Sequence, residues 1–83
     1  MNEIDIKRDI LKIVSEVIDI KIEEIDINAK RQNYIKWDSL ATLIIFMRLE
    51  EKYGIKFSEE DIKIIDSVKK IYEKIINNNI ANK

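Results

Sequence analysis

The chain has no proline and a single glycine, Gly54, among its 83 residues. Small strand-rich folds need tight turns, which depend largely on those two residue types. Several segments instead repeat apolar residues at the 3.6-residue period of a helix. The sequence therefore predicts an all-α fold with one small core, a single domain over residues 1–83. Its polar end, from about residue 77 to residue 83, is expected to fray.

Apolar spacing and capping signals divide the chain into four helices and one long connection. Asp38 and Ser39 offer short polar side chains that can cap a helix, Gly54 is suited to end one, and Ser58 to Asp61 resembles a capping box. The predicted helices run from about Asn2 to Ile18, from Asp38 or Ser39 to Tyr53, from Ser58 to about Ile65, and from near Asp66 onwards.

The connection between the first two helices carries isoleucines at positions 20, 22, 25 and 27. Their near-alternate spacing is compatible with a strand over residues 19–28, but a lone strand would have no partner elsewhere in the chain. We therefore predict an ordered loop that these isoleucines pin to the core, with a short helical turn around Ile22 to Ile25.

Charge and composition exclude several functional classes. Fifteen basic and sixteen acidic residues give a net charge of -1, so the strong basic field of a nucleic-acid binder is missing. The chain contains no cysteine and no histidine, which excludes disulfides, thiolate metal sites and imidazole acid–base chemistry. The carboxylates of Glu50 and Glu51 lie in an ordinary amphipathic pattern without a partner nucleophile. An enzyme is therefore disfavoured.

Nothing in the sequence predicts membrane insertion. Met1 to Asp5 lacks the basic flank and apolar stretch of a signal peptide, and the apolar run from Leu40 to Met47 is too short to cross a bilayer. We expect a cytoplasmic protein.

The second helix has two apolar faces. At about 100° per residue, one face carries Thr42, Ile45, Phe46, Leu49 and Tyr53, and the opposite face carries Leu40, Leu43, Ile44 and Met47. Three other helices in so small a chain cannot cover both faces, so the second face is expected to be exposed and to contact other proteins. Arg48 and Glu51 would lie at its edge and adjust orientation.

The stretch from Trp37 through Asp38, Ser39 and Leu40, followed by an apolar helix that ends in Glu50-Glu51-Lys52-Tyr53, resembles the prosthetic-group site of acyl and peptidyl carrier proteins. The resemblance extends over nearly the whole chain, because the order and lengths of the predicted helices also match. It implies a small four-helix bundle of acyl-carrier type, with a long loop between helices 1 and 2 and a short helix 3.

The resemblance also implies a function. A phosphopantetheinyl transferase would move 4'-phosphopantetheine from coenzyme A to Ser39 with magnesium assistance, and the thiol of that arm would carry acyl or aminoacyl groups as thioesters. Asp38 matches the family aspartate that serves transferase recognition or magnesium binding, and Leu40 matches a leucine that contacts partners. The other implied partners are an acyl- or aminoacyl-loading enzyme and a downstream synthase or transferase. The carrier would be a monomer and not itself a catalyst.

Two departures from the family pattern bear on the pathway. Carriers of fatty acid synthesis are usually strongly acidic, yet this chain is nearly neutral and places Ile44, Met47 and Arg48 where acidic residues are common. Lys36 and Trp37 also stand where a glycine often precedes the aspartate and serine. Both features favour a specialised biosynthetic pathway.

Simpler interpretations remain open for the same residues. Asp38 and Ser39 could only cap the helix, and the chain could be a small helical adaptor with an unmodified Ser39. Ser67, in a similar Asp-Ser-Val sequence, and Ser58 are both expected to act only as caps. Trp37 is expected to pack in the core. The basic residues of the loop are expected to be solvated surface: Lys30, Arg31 and Lys36.

Overall fold

The computed structural model describes residues 2–81, and the side chains of residues 2–77. Four helices follow one another: α1 (Glu3–Val17), α2 (Ser39–Tyr53), α3 (Glu59–Ile64) and α4 (Val68–Ala81). Two 3₁₀ turns, Ile22–Glu24 and Arg31–Asn33, interrupt the long connection between α1 and α2. The described part of the chain contains no strand, and its one isolated bridge pairs Lys30 with Ser67. The predicted all-α fold of acyl-carrier type is confirmed.

The predicted helix ends are formed by the local interactions that the sequence indicated. The Asp38 carboxylate accepts a hydrogen bond of 2.8 Å from the Ala41 N–H and so caps α2. Ser58 and Asp61 each accept a hydrogen bond from the other's backbone N–H, which is the capping box of α3. Gly54 adopts φ +63° and ψ +34°, the left-handed conformation that ends α2.

The core lies where α1 packs against both α2 and α4. Phe46 on α2 and Ile71 on α4 are 2% and 1% exposed, as their helical spacing predicted. The Phe46 ring meets the Phe57 ring edge to face, with centroids 4.6 Å apart, and so joins α2 to the segment that precedes α3. Six large aliphatic side chains are fully buried around them: Ile6, Ile10, Ile18, Ile45, Leu49 and Ile75.

The connection between α1 and α2 is ordered, and the predicted turn forms at Ile22–Glu24. Ile25 is buried, and Ile20 and Ile27 pack partly against the core. Ile22, however, is 39% exposed, so the prediction that it helps to pin the loop is wrong. The two residues differ in backbone conformation: Ile22 begins the 3₁₀ turn, whereas Ile25 has left it for an extended conformation (φ -127°, ψ 144°) and is buried.

Backbone hydrogen bonds tie the end of this connection to the start of α4. The Arg31 N–H donates to the Asp66 carbonyl at 2.7 Å, and the Val68 N–H donates to the Ala29 carbonyl at 3.0 Å. Trp37, immediately before the α2 cap, is 4% exposed, which confirms its predicted packing role. The segment that leads into α2 is therefore packed against the rest of the fold and is not a free loop.

Helix α4 continues to Ala81. The fraying expected from about residue 77 to residue 83 falls partly on residues 82 and 83, outside the described residues, and stays a prediction. No helix in residues 2–81 combines the length and the apolar character needed to cross a membrane.

Candidate functional site

Ser39 is the first residue of α2, and its hydroxyl is not used to cap that helix. The cap is Asp38, whose backbone is extended and whose carboxylate is engaged by the Ala41 N–H. The Asp38 carbonyl accepts two further bonds, from the N–H and from the hydroxyl of Thr42, each 2.9 Å long. The side-chain cap of α2 thus comes from Asp38, and the side chain of Ser39 is left exposed to solvent.

The four serines of the chain differ sharply in this respect. Ser15 is buried and donates to the Lys12 carbonyl, and Ser67 is buried and accepts from the Lys70 N–H. Ser58 is exposed, but its hydroxyl accepts the Asp61 N–H in the capping box. Ser39 is exposed, and its hydroxyl makes no hydrogen bond with any other described residue. The predicted capping roles of Ser58 and Ser67 are confirmed.

An open cavity of about 580 Å³, called here the Ser39 cavity, lies beside this hydroxyl. It joins three parts of the fold, namely the connection before α2, the start of α2 and α3. Its wall includes two cations, two aromatic rings and the Asp-Ser pair: Arg31, Lys63, Tyr34, Trp37, Asp38 and Ser39.

Trp37 forms a rigid part of that wall. Its ring lies 6.4 Å from the Tyr34 ring at an interplanar angle of 42°, and its backbone N–H donates to the Tyr34 carbonyl at 3.0 Å. The buried indole Nε1 has no hydrogen-bond acceptor among the described residues. Such orphaned donors are uncommon in proteins.

The second apolar face of α2 is exposed, as its spacing predicted. Leu40 and Met47 are 67% and 64% exposed, and Leu43 and Ile44 are 46% and 39% exposed. We call these four residues the apolar surface of α2. They lie roughly opposite the buried Ile45 on the helix, and Leu40 directly follows Ser39 at the N-terminal end.

Arg48 and Glu51 occupy a different surface. Both line a groove of about 300 Å³ between α1 and α2. There the Arg48 guanidinium donates to a Glu16 carboxylate oxygen at 2.7 Å, and this hydrogen bond lowers the pKa of Glu16. The structure thus commits Arg48 to a contact with α1, beside the apolar surface of α2 and not within it.

The cations around Ser39 are the feature that the sequence did not reveal. Lys30 and Lys36 are exposed, as expected of solvated surface, and Lys36 pairs with Asp19 at 3.2 Å. Arg31 is instead half-buried in the wall of the Ser39 cavity. Lys63 joins it there from α3, and no local sequence signal relates a lysine on α3 to a serine on α2.

Comparison with known proteins agrees with the family resemblance of the sequence. A family model described as a phosphopantetheine attachment site matches residues 8–75. An "Acyl carrier protein" of Buchnera aphidicola subsp. Schizaphis graminum is 33% identical over 75 residues, which cover 90% of this chain and 95% of the relative. A protein of the same name from Buchnera aphidicola subsp. Acyrthosiphon pisum (strain 5A) is 37% identical over 76 residues, or 92% of this chain and 95% of the relative. A "Polyketide-8 synthase acyl carrier protein 2" of Streptomyces avermitilis is 31% identical over 67 residues, covering 81% and 77%.

The residues around Ser39 fit a phosphodiester-linked group. The free hydroxyl is exposed at the start of a 15-residue helix, where backbone N–H groups and the helix dipole favour negative charge. Arg31 and Lys63 add positive side chains to the adjoining cavity. The cavity is also open enough to admit a flexible chain.

Proposed function

Because the chain belongs to the phosphopantetheine attachment-site family, we propose that it works as an acyl carrier whose 4'-phosphopantetheine arm is attached to Ser39. When bound, the arm supplies a terminal thiol, the group on which acyl or aminoacyl cargo is held as a thioester. The protein itself supplies no such thiol, because the sequence has no cysteine. Its own residues have a different task, which is to present and orient the attachment point.

One observation carries the assignment to Ser39. It is the serine that combines exposure with a hydroxyl unused in the described hydrogen-bond network, whereas Ser15, Ser58 and Ser67 are each engaged. A modifying enzyme can reach the Ser39 oxygen without breaking a cap or opening the core. The product would keep α2 intact, because the Asp38 carboxylate holds the helix end independently.

Asp38 has a second proposed role besides capping. It is exposed beside Ser39, and one carboxylate oxygen accepts the Ala41 N–H, so the other oxygen can face an approaching transferase or its magnesium ion. The proposed partners are this phosphopantetheinyl transferase, an enzyme that loads the acyl or aminoacyl group, and a downstream synthase or transferase. The chain is a substrate of these enzymes and does not catalyse the transfers.

The apolar surface of α2 is the proposed docking site for those partners. Leu40, Leu43, Ile44 and Met47 expose hydrocarbon next to the attachment serine, and burial of such side chains can supply binding free energy. This apolar character also supports a pathway other than housekeeping fatty acid synthesis. The proposed cargo is an acyl or aminoacyl group of a specialised biosynthetic pathway.

Mass spectrometry tests the proposal directly. After incubation with coenzyme A, magnesium and a broad-specificity phosphopantetheinyl transferase, the protein should gain the mass of one phosphopantetheine group, located on the Ser39 peptide. Ser39→Ala should remove the gain and keep the helical circular dichroism. Ser58→Ala is the matched control, because it removes the other exposed serine hydroxyl and should be modified normally.

A folded wild-type protein that gains no mass would overturn the assignment and favour the adaptor interpretation. A mass gain that persists in Ser39→Ala would instead place the arm elsewhere.

A further inference from the structure

Two cations approach Ser39 from elements far apart in sequence. Arg31 begins the second 3₁₀ turn and Lys63 lies on α3, yet both line the Ser39 cavity. Within residues 2–77 neither has a carboxylate at ion-pair distance. Five other basic residues do form ion pairs with carboxylates: Lys36, Arg48, Lys52, Lys70 and Lys74. Asp38 is the acidic group of the same wall. The cavity therefore has an excess of positive charge in a chain whose net charge is -1.

The backbone that carries Arg31 is fixed. Its N–H donates to the Asp66 carbonyl at 2.7 Å, and its carbonyl accepts the Tyr34 N–H at 3.2 Å. The side chain is half-buried, so its range of conformations is already restricted. A guanidinium held in this way loses less conformational entropy on binding an anion than one on a free loop does.

We propose that Arg31 and Lys63 pair with the phosphodiester that joins the arm to Ser39. This inference rests on the proposed function, because it requires the arm on Ser39. A phosphodiester is anionic at neutral pH, and a guanidinium binds its oxygens through paired N–H donors while an ammonium acts as a point charge. The pairing holds the base of the arm in the Ser39 cavity, on the side of Ser39 that faces α3. The apolar surface of α2 then stays free for partners.

The strength of the pairing is limited by solvent. Lys63 is exposed and Arg31 is only half-buried, so salt screens both charges and the arm is biased in direction without being immobilised. A carrier benefits from this balance, because its arm must leave the surface to reach each partner.

The test uses the full chain in its phosphopantetheine-modified form, prepared after mass spectrometry has verified the arm on Ser39. The first measurement compares backbone amide resonances of the unmodified and modified wild-type protein. We expect shifts at Arg31 and Lys63 as well as beside Ser39. A shift at Lys63 is informative because α3 is close to Ser39 only through the tertiary fold.

The second measurement follows the phosphorus resonance of the modified protein between about 0.01 M and about 1 M NaCl, a range over which the Debye length falls from about 30 Å to about 3 Å. The wild-type resonance should move with salt, and Arg31→Gln/Lys63→Gln should lose most of that movement. The matched control is Lys30→Gln/Lys56→Gln, which removes two exposed cations that do not line the cavity and should respond as wild type does.

The outcomes separate the two proposals. A wild-type protein that accepts no arm on Ser39 overturns both. A protein that is modified, but shows no amide shift at Arg31 or Lys63 and the same salt response in all variants, overturns the pairing and leaves the carrier function intact. If the double variant is not modified, the wild-type amide shifts alone decide the matter, since they need no substitution.

Discussion

The hydroxyl of Tyr53 donates a hydrogen bond of 2.7 Å to Oδ2 of Asp9, and so fastens the last turn of α2 to the middle of α1. Asp9 has a second, weaker partner in Lys52, whose Nζ lies 3.8 Å away. We predict that Tyr53→Phe lowers the free energy of unfolding by about 1 kcal/mol, because this hydrogen bond is lost. The loss stays this small because Asp9 is partly exposed, so water can hydrate its freed carboxylate oxygen. Urea denaturation measures this. Tyr34→Phe is the control, since that hydroxyl makes no hydrogen bond within residues 2–77 and its loss should change little.

The same contact predicts a pH dependence. Burial, together with the hydrogen bond to Asp9, raises the pKa of Tyr53 above its ordinary value. The folded state therefore favours the protonated phenol, and this part of the stability is present below about pH 10 and is lost as the pH rises further. Above about pH 10 the wild-type protein should lose more stability than Tyr53→Phe, whose lysines titrate in the same way. Parallel curves for the two proteins would contradict this prediction.

Substitution of Gly54 should change stability through the backbone conformation and not through side-chain packing. Its φ is +63°, and a Cβ built at this position would meet no heavy atom within 4 Å. Gly54→Ala should therefore cost about 1 kcal/mol, from the left-handed conformation alone. Gly54→Asn should cost less, because asparagine tolerates that conformation better. If thermal denaturation instead finds Gly54→Ala to be more stable than Gly54→Asn, the C-terminal end of α2 can rearrange.

Truncation of Phe46 or Ile71 in the core should cause a larger loss of stability. Each is almost fully buried, and truncation to alanine should cost about 2 to 5 kcal/mol from lost burial and a residual cavity. Leu43→Ala is the comparison on α2, because Leu43 is 46% exposed and its truncation should stay within about 0.5 kcal/mol. Chemical denaturation distinguishes the two faces. Equal midpoints for Phe46→Ala and Leu43→Ala would mean that the buried face of α2 has been misidentified.

The apolar surface of α2 predicts a defect in partner reactions with little loss of stability. Ile44→Glu or Met47→Glu should reduce the rate of phosphopantetheine transfer or of loading by about tenfold or more, equivalent to about 1.4 kcal/mol, with a nearly unchanged thermal midpoint. Because the lost contacts are mainly apolar, added salt should have only a modest effect on the wild-type reaction.

Ile4→Glu is the control for those variants. It adds the same charge at an isoleucine of α1 that is 63% exposed and is not part of the apolar surface of α2, and it should react normally. Docking through this surface is refuted if the α2 variants fold and react as Ile4→Glu does. Unfolding of the α2 variants would instead show that the surface belongs to the core.

Much of the fold follows from signals that extend over only a few residues. The Asp38 cap, the capping box at Ser58 and Asp61, and the left-handed Gly54 each act within one helical turn, so their sequence patterns predicted the observed helix ends. The two apolar faces of α2 follow from helical periodicity in the same way. The Asp-Ser-Leu sequence at the start of that helix predicted the location of the candidate site.

The tertiary structure decided which distant side chains meet. It placed Arg31 and Lys63 in one cavity beside Ser39, joined Arg48 to Glu16, and left Ile22 exposed while Ile25 packs inward. These contacts depend on how the helices pack and on the exact backbone path of the long connection, and a local pattern carries no information about either. The sequence by itself therefore determined the helices and the candidate attachment serine. Only the packing of α3 and the connection around the start of α2 set the charge that surrounds it.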